Sequence, residues 1–378
     1  VSVLDPQIQE ALKVRLKQAN DVSAQFDFES EGSLATFWRQ ATPGTTYWRG
    51  WLPMKYLPGN VVGMDVGSLE VEGGDVETDK WHPDGPVRLV LKGQEGTAIW
   101  QFLGDDARSR IVFQLQRQGV RTLMEVDDTY LRFAPTLYGK NSAWTRTHAE
   151  AVANGTGYSI EMHRMQVPLM DGIICSTDFL ANEYERVNPN VYVCPNSIDP
   201  TDWEGFEREE SDVLRIGYYG SMSHVRDYPL VKKALKWAAR QDGVEVVMIG
   251  FVPPGFRGRS FPWTDDIMEG RKNLGKIDVG IAPLVRNHWA DGKSDVKALE
   301  YAMAGVMPIV QDAPPYDPWV KRGWDFVANT SSDWETMLRL VVSERGAVAT
   351  WAAEAKRYVL EERTIQGNIH KWEEAVRG

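Results

Sequence analysis

The feature that most constrains this chain is an alternation, run through twice, of short apolar stretches with segments of helical period. In the first series Ala35–Trp38, Val61–Met64, Val87–Leu91, Ala98–Gln101, Thr122–Val126, Gly172–Ser176 and Val191–Cys194 read as strands. Asp106–Gln118 and Thr177–Val187 read as helices between them. A second series holds the strands Leu214–Tyr219, Val244–Ile249, Val279–Ala282, Met307–Gln311 and Phe326–Ala328, with helices Pro229–Arg240 and Val296–Ala304. Strands that are apolar on both faces and alternate with helices predict parallel, doubly wound sheets. Pro195–Pro200 is dense in turn formers and reads as the linker between the series. The expected fold is α/β, two Rossmann-like parallel-sheet domains facing across a cleft, with ligands beyond the carboxyl ends of the strands. At 378 residues the chain has the length for two such cores.

Both ends are helical in pattern. Ile8, Leu12 and Leu16 form one narrow apolar strip along residues 6–25, suited to a domain edge or to a second copy in a homo-oligomer. Asp333–Arg377 reads as helix, broken near Arg345–Gly346 and again around Thr364–Gly367.

Composition narrows the function. Hydrophobic residues at 43% and charged residues at 25% are those of a soluble globular protein. No apolar run reaches the length of a membrane span, and the N-terminus lacks the pattern of a secretory signal, so a cytoplasmic protein is expected. A net charge of −11 argues against a nucleic-acid partner. The two cysteines, Cys175 and Cys194, each sit in a strand-like run and read as buried thiols of a reducing compartment. No Cys/His spacing suggests zinc.

The segment Asp291–Val310 carries the strongest chemical signal. Ser294 or Asp295 is placed to cap a helix that ends at Gly305, with Met307–Val310 as the next strand. Lys293 and Lys297 are one turn apart, and Glu300 follows on nearly the same face. Two ammonium groups at a helix start, beside its free N–H groups, make an anion site. A carboxylate two turns on suits the hydroxyls of a ribose. The plainer alternative is a surface helix with a Lys–Glu pair, worth about 0.2–0.5 kcal/mol. Upstream, Ile216–Asp227 reads as a strand, a glycine turn at Gly220 and Ser221, and a helix start carrying His224 and Arg226. That arrangement also lets backbone N–H groups approach phosphate oxygens. In the first half, Glu125–Asp128 places adjacent carboxylates at a strand end. Asp127 and Asp128 suit hydroxyls or developing charge. Glu125 and Asp127 share a sheet face and suit a divalent ion, and Asp128 alone suits a helix N-cap.

Taken together these segments resemble glycosyltransferases of the GT-B fold, in particular the large retaining family of glycogen-synthase and mannosyltransferase type. Its Asp-(Ile/Val)-Gly-(Ile/Leu)-Ala-Pro-Leu strand matches Asp278–Leu284, its Lys-Ser-x-x-Lys-x-x-Glu-Tyr helix matches Lys293–Tyr301, and Gly305 and Pro308 follow in order. The resemblance implies transfer of a hexose from a UDP- or GDP-sugar to an acceptor glycan, small molecule or protein, with retention. It implies no required cofactor and no metal site. Asp127, Asp128, Arg226 and Lys297 would be catalytic, and Gly220, Ser221, His224, Lys293, Ser294 and Glu300 would bind the donor. Gly44–Pro53 is similar to the family's opening glycine loop, which implies donor contacts from Gly44 and Thr45 and cleft positions for Tyr47 and Arg49. One departure stands out: many members carry a glutamate eight positions before the ribose-binding one, where this chain has Gly292 beside Asp291. The expected domains are a helical extension (1–30), which lies outside the resemblance, an acceptor domain (31–198), a donor domain (199–355) and a last helix (356–378) returning to the first domain. A non-hydrolysing sugar-nucleotide epimerase, which needs no acceptor, and a non-catalytic sugar-nucleotide or glycan binder stay open alongside transfer.

Overall fold

Among the described residues twelve strands form two sheets of six, and every pairing is parallel. The structure, a computed structural model, describes residues 34–38, 47–57, 61–65, 97–101, 116, 121–131, 160–221, 224–264 and 267–378. The expected helix at 6–25, the strand Val87–Leu91, nearly all of Asp106–Gln118, and Gly44 and Thr45 lie outside them. The chain divides into two compact units: Val1–Pro195 with Ile369–Gly378, and Asn196–Asn368.

The first unit holds β1 (Leu34–Trp38), β2 (Val61–Asp65), β3 (Thr97–Gln101), β4 (Arg121–Val126), β5 (Gly172–Cys175) and β6 (Val191–Val193), ordered β2-β1-β3-β4-β5-β6. Leu123, Met124, Val126, Ile173, Ile174 and Cys175 are buried, as strands covered on both faces require. Thr177 accepts a bond from the Leu180 N–H and starts the helix Asp178–Tyr184. Both cysteines are free and buried, and burial pushes the Cys194 thiol up to about 12. The end of the last helix, Ile365–Arg377, packs here. Trp372 is buried beneath the Arg49 guanidinium, 4.8 Å from its ring, and Arg121 donates to the carbonyls of Ala375 and Val376.

The second unit holds β7 (Leu214–Gly220), β8 (Val244–Gly250), β9 (Arg259–Phe261), β10 (Val279–Ala282), β11 (Met307–Gln311) and β12 (Val327–Ala328), ordered β12-β11-β10-β7-β8-β9. From β7 the chain runs outward through β8 and β9, then returns to lay β10 on the other side of β7. The carboxyl ends of β7 and β10 therefore flank the point where strand order reverses, the place where ligands bind in such sheets. Ile216, Val247, Val279, Ile281, Ile309, Trp319 and Trp334 are buried. The expected strands recur to within a residue or two. β9 has no apolar run to announce it, being a three-residue edge strand. The long C-terminal helical segment is broken where its sequence predicts, into Ser331–Ser343, Val348–Glu362 and Ile365–Arg377. Among the described residues no helix is long and apolar enough to cross a membrane.

Candidate functional site

The site in the second unit is built on Gly220, the last residue of β7. A Cβ placed there would lie 3.2 Å from the Lys297 Nζ and 3.3 Å from the His224 Cβ. The missing side chain lets both groups close over the strand end without having to give way. The glycine of the resembling strand motif is explained the same way. At Gly280 a Cβ would come within 2.5 Å of the Tyr301 ring. Tyr301 uses the space it leaves: its hydroxyl donates to the Ile281 carbonyl and accepts from the Tyr219 N–H, each at 3.2 Å. Glu300 and Lys297 are thus held on a helix, Val296–Met303, that is pressed against β7 and β10. Gly305, with φ of +67°, ends it: the N–H groups of Gly305 and Val306 return to the carbonyls of Ala302 and Tyr301, and the chain drops into β11.

The start of that helix departs from expectation. Asp295 occupies the cap position, but its side chain caps nothing. Instead its carboxylate takes two bonds from Arg363, at 2.6 and 2.9 Å, and one from the Trp319 indole at 3.0 Å. Arg363 also donates to the Asn196 carbonyl, and Asn196 donates to the Ser294 hydroxyl at 2.7 Å. Ser294 and Asp295 are therefore tied to the linker and to the end of the helix Val348–Glu362, and a buried ion pair stands where the sequence suggested a cap. Asp278, which opens the strand motif, is likewise structural, gripped by Arg208 and by two bonds from the Arg215 guanidinium.

Electrostatics gather at the β7 end. The Lys297 ammonium is lowered to about 8, first by burial; Asp227 pulls it back up, Lys293 lowers it further, and Glu300 raises it. His224 is lowered to about 4 by burial and by Lys297, against its bond to Asp227. At pH 7 the imidazole is neutral. Its Nδ1 lies 2.8 Å from an Asp227 oxygen, and since a carboxylate only accepts, Nδ1 carries the proton. The second Asp227 oxygen accepts from the Val285 N–H, in the loop after β10. His224 was expected to donate to phosphate. In the neutral ring its one N–H is spent on Asp227, so donation from Nε2 requires an added proton. Arg226 is exposed, in the turn ahead of the helix Tyr228–Ala238, while its neighbours His224 and Asp227 face inward.

Glu300 is 5% exposed and pushed up to about 7 by burial, with Arg271 and then Lys297 opposing. The Arg271 Nε lies 3.8 Å from its Oε1. Lys293 lies with its ammonium 5.2 Å from the Trp289 ring. Beside β7, the half-exposed Trp263 stacks on Tyr219 with ring centroids 5.6 Å apart and planes 22° from parallel. The structure thus brings together Gly220, His224, Lys297 and Glu300, with Lys293 close enough to lower both His224 and Lys297. Asp227 and Arg271 join them without a sequence motif, Asp227 marked only by its three-residue spacing from His224.

The first-unit candidates lie apart from these on the chain. Asp127 and Asp128 follow β4 and are partly exposed, and the Tyr130 hydroxyl reaches Asp127 at 3.4 Å. Tyr47 is partly buried and packs edge-on to Trp48. Arg49, expected to line a cleft, is 4% exposed; it bonds Glu125 at 2.5 Å and the Cys194 carbonyl. A cation so enclosed serves the interior of its own unit. Glu125, spent on Arg49 and 1% exposed, is not the open metal ligand that its spacing from Asp127 suggested.

No family model matches the sequence, and no curated protein matches it. Solved structures do match. S. aureus TarM, in a complex with fondaparinux, α-GlcNAc-glycerol and UDP, shares 10% identity at a TM-score of 0.53 over 76% of this chain and 56% of its own. This chain thus spans little more than half of the TarM length. A glycosyltransferase from Rickettsia africae shares 10% identity at a TM-score of 0.59, covering 91% of this chain and 98% of its own. A UDP-forming α,α-trehalose-phosphate synthase from Burkholderia xenovorans shares 12% identity at 0.57, covering 92% and 99%. At such identities the likeness is one of fold: the chain has the GT-B fold, with two Rossmann-like parallel-sheet units.

Proposed function

We propose that the protein is a glycosyltransferase that moves a hexose from a nucleoside-diphosphate sugar to an acceptor hydroxyl, with retention of configuration. The observation that carries this reading is the placement of the Lys297 ammonium over Gly220, at the switch point of the second sheet, with Glu300 one turn further along the same helix. Lys297 is a cation held at a strand end with its charge weakened by burial, so an anion there gains more than it would in water. A diphosphate over Gly220 takes Lys297 and Lys293, while Ser221 and the exposed Arg226 close the turn beside it. Glu300 then accepts the ribose hydroxyls. When the diphosphate leaves, these cations stabilise the growing negative charge, and the anomeric carbon becomes oxocarbenium-like. The leaving phosphate accepts the proton of the incoming hydroxyl on the same face. Asp127 and Asp128 are assigned to acceptor hydroxyls, and Gly44 and Thr45 to donor contacts. No metal is assigned to the reaction.

The fold neighbours support the donor class, since the Burkholderia enzyme is UDP-forming and TarM is seen with UDP. A thermal-shift comparison of UDP-glucose, GDP-mannose and ADP-glucose tests it. One of the three is expected to stabilise the protein, by about 2.7 kcal/mol at a concentration one hundred times Kd. No shift with any of them would overturn the reading.

A further inference from the structure

Arg271 lies on the helix Ile267–Leu274, in a stretch that carries no recognisable motif, yet it is among the most enclosed charges of the second unit at 3% exposed. Its partners come from its own helix, where Nη1 lies 3.4 Å from the Met268 Sδ, and from two other segments. Its Nη1 lies 3.4 Å from the Asp202 carboxylate, its guanidinium sits 5.0 Å above the Trp203 ring, and its Nε faces Glu300 at 3.8 Å. Asp202 and Trp203 belong to a single turn, Pro200–Trp203, that is itself pinned: the Asp199 carboxylate accepts from the Thr201 N–H and hydroxyl at 3.0 and 2.8 Å. The guanidinium is therefore held on one side by a turn that is braced by its own hydrogen bonds.

We infer that Arg271 is a positioning residue for the donor ribose: clamped by Asp202 and Trp203, it orients the Glu300 carboxylate and holds its negative charge. The inference rests on the donor-site reading above. A separation of 3.8 Å is too long for a hydrogen bond, so Arg271 attracts Glu300 without occupying the lone pairs that two hydroxyls require. The other groups facing Glu300 cannot replace it. Lys297, on the same helix, is committed to the diphosphate in the proposed complex. Tyr219 from β7 and Tyr301 carry phenols that burial keeps neutral. Burial alone drives the Glu300 carboxyl toward its neutral form, and of the two cations that oppose this Arg271 acts more strongly. A protonated Glu300 offers one acceptor fewer, and ribose recognition weakens with it.

Calorimetric titration of UDP, GDP and ADP, each against its 2′-deoxy counterpart, tests this between pH 6 and 9. In the wild-type protein binding of the accepted nucleotide should strengthen as pH rises through about 7, with a preference for the ribo form. Arg271→Met should move that acid limb upward by roughly one pH unit and cut the ribo preference by roughly threefold to tenfold. Arg271→Lys, which keeps the charge but not the planar fork, should restore the limb and only part of the preference. A wild-type limb and preference in Arg271→Met would overturn the inference and leave the donor site standing. If none of the three nucleotides bound the wild-type protein, both readings would fall. If Arg271→Met does not fold, as judged by circular dichroism, Arg271→Lys decides, and an undiminished ribo preference in it overturns the inference.

Discussion

Glu300 is asked to be two things that conflict, a buried group and a charged one. Its carboxyl is raised from an ordinary 4.5 to about 7, so the folded chain binds that proton more tightly than the unfolded chain does. Stability is therefore withdrawn as pH rises from about 4.5, and the loss levels off above about 7, where both states are ionised. At 1.36 kcal/mol per pH unit the full cost is on the order of 3 kcal/mol. Glu300→Gln should accordingly raise the melting temperature at pH 8, with the gain shrinking toward pH 5, while weakening nucleotide binding roughly tenfold or more. Equal melting temperatures at pH 8 would count against this assignment of the charge. Lys297 works with the opposite sign. Its ammonium is half lost at about 8 and progressively lost above it. An anion arriving over Gly220 raises that value again, so nucleotide binding between pH 8 and 9 should take up protons. Heats of binding measured in two buffers of different ionisation enthalpy report this directly, and identical heats would contradict it.

The elements were readable from sequence to the extent that they announce themselves in hydrophobic pattern. β7, β8, β10 and β11 are apolar runs, and the helix Val296–Met303 has a glycine at its end; each recurs close to its expected bounds. β9, Arg-Ser-Phe at a sheet edge, has no pattern, and the helix Ile267–Leu274 is too polar to show an apolar stripe. Side-chain partners were less legible, because they come from distant parts of the chain. Arg271 meets Glu300 from a helix earlier in the chain, beside the turn Pro200–Trp203, and Asp295 leaves its cap for an arginine near the C-terminus. Gly280 shows how tightly the elements are fitted. Gly280→Ala would force a methyl group into the Tyr301 ring, whose base is backbone-anchored rather than a flexible tip. Overpacking of this kind costs about 1–3 kcal/mol. We expect urea unfolding at a lower midpoint, together with weaker nucleotide binding, since Tyr301 stands next to Glu300. An unaltered midpoint would show that the ring can shift without loss.

Across the whole molecule two series of strands were visible in the sequence, whereas the allocation of the last helix was not a matter of local pattern. Ile369–Gly378 belongs with the first unit although the preceding residues belong with the second. Trp372 is 2% exposed there, under Arg49. Trp372→Ala should remove about 3–5 kcal/mol from the first unit. Scanning calorimetry should then show a low-temperature transition split from that of the second unit, whose own melting stays in place. A single transition shifted as a whole would indicate that the units unfold together.

That allocation also bears on how the protein is made. Ribosomes deliver the chain in order, and Trp372 is translated only after every strand of the second sheet has been completed. The Arg49–Glu125 pair must therefore wait, the ring that covers Arg49 unsynthesised, while the intervening polypeptide is produced. Arg49, made ahead of every strand of the second sheet, gains its aromatic cover only after all of them.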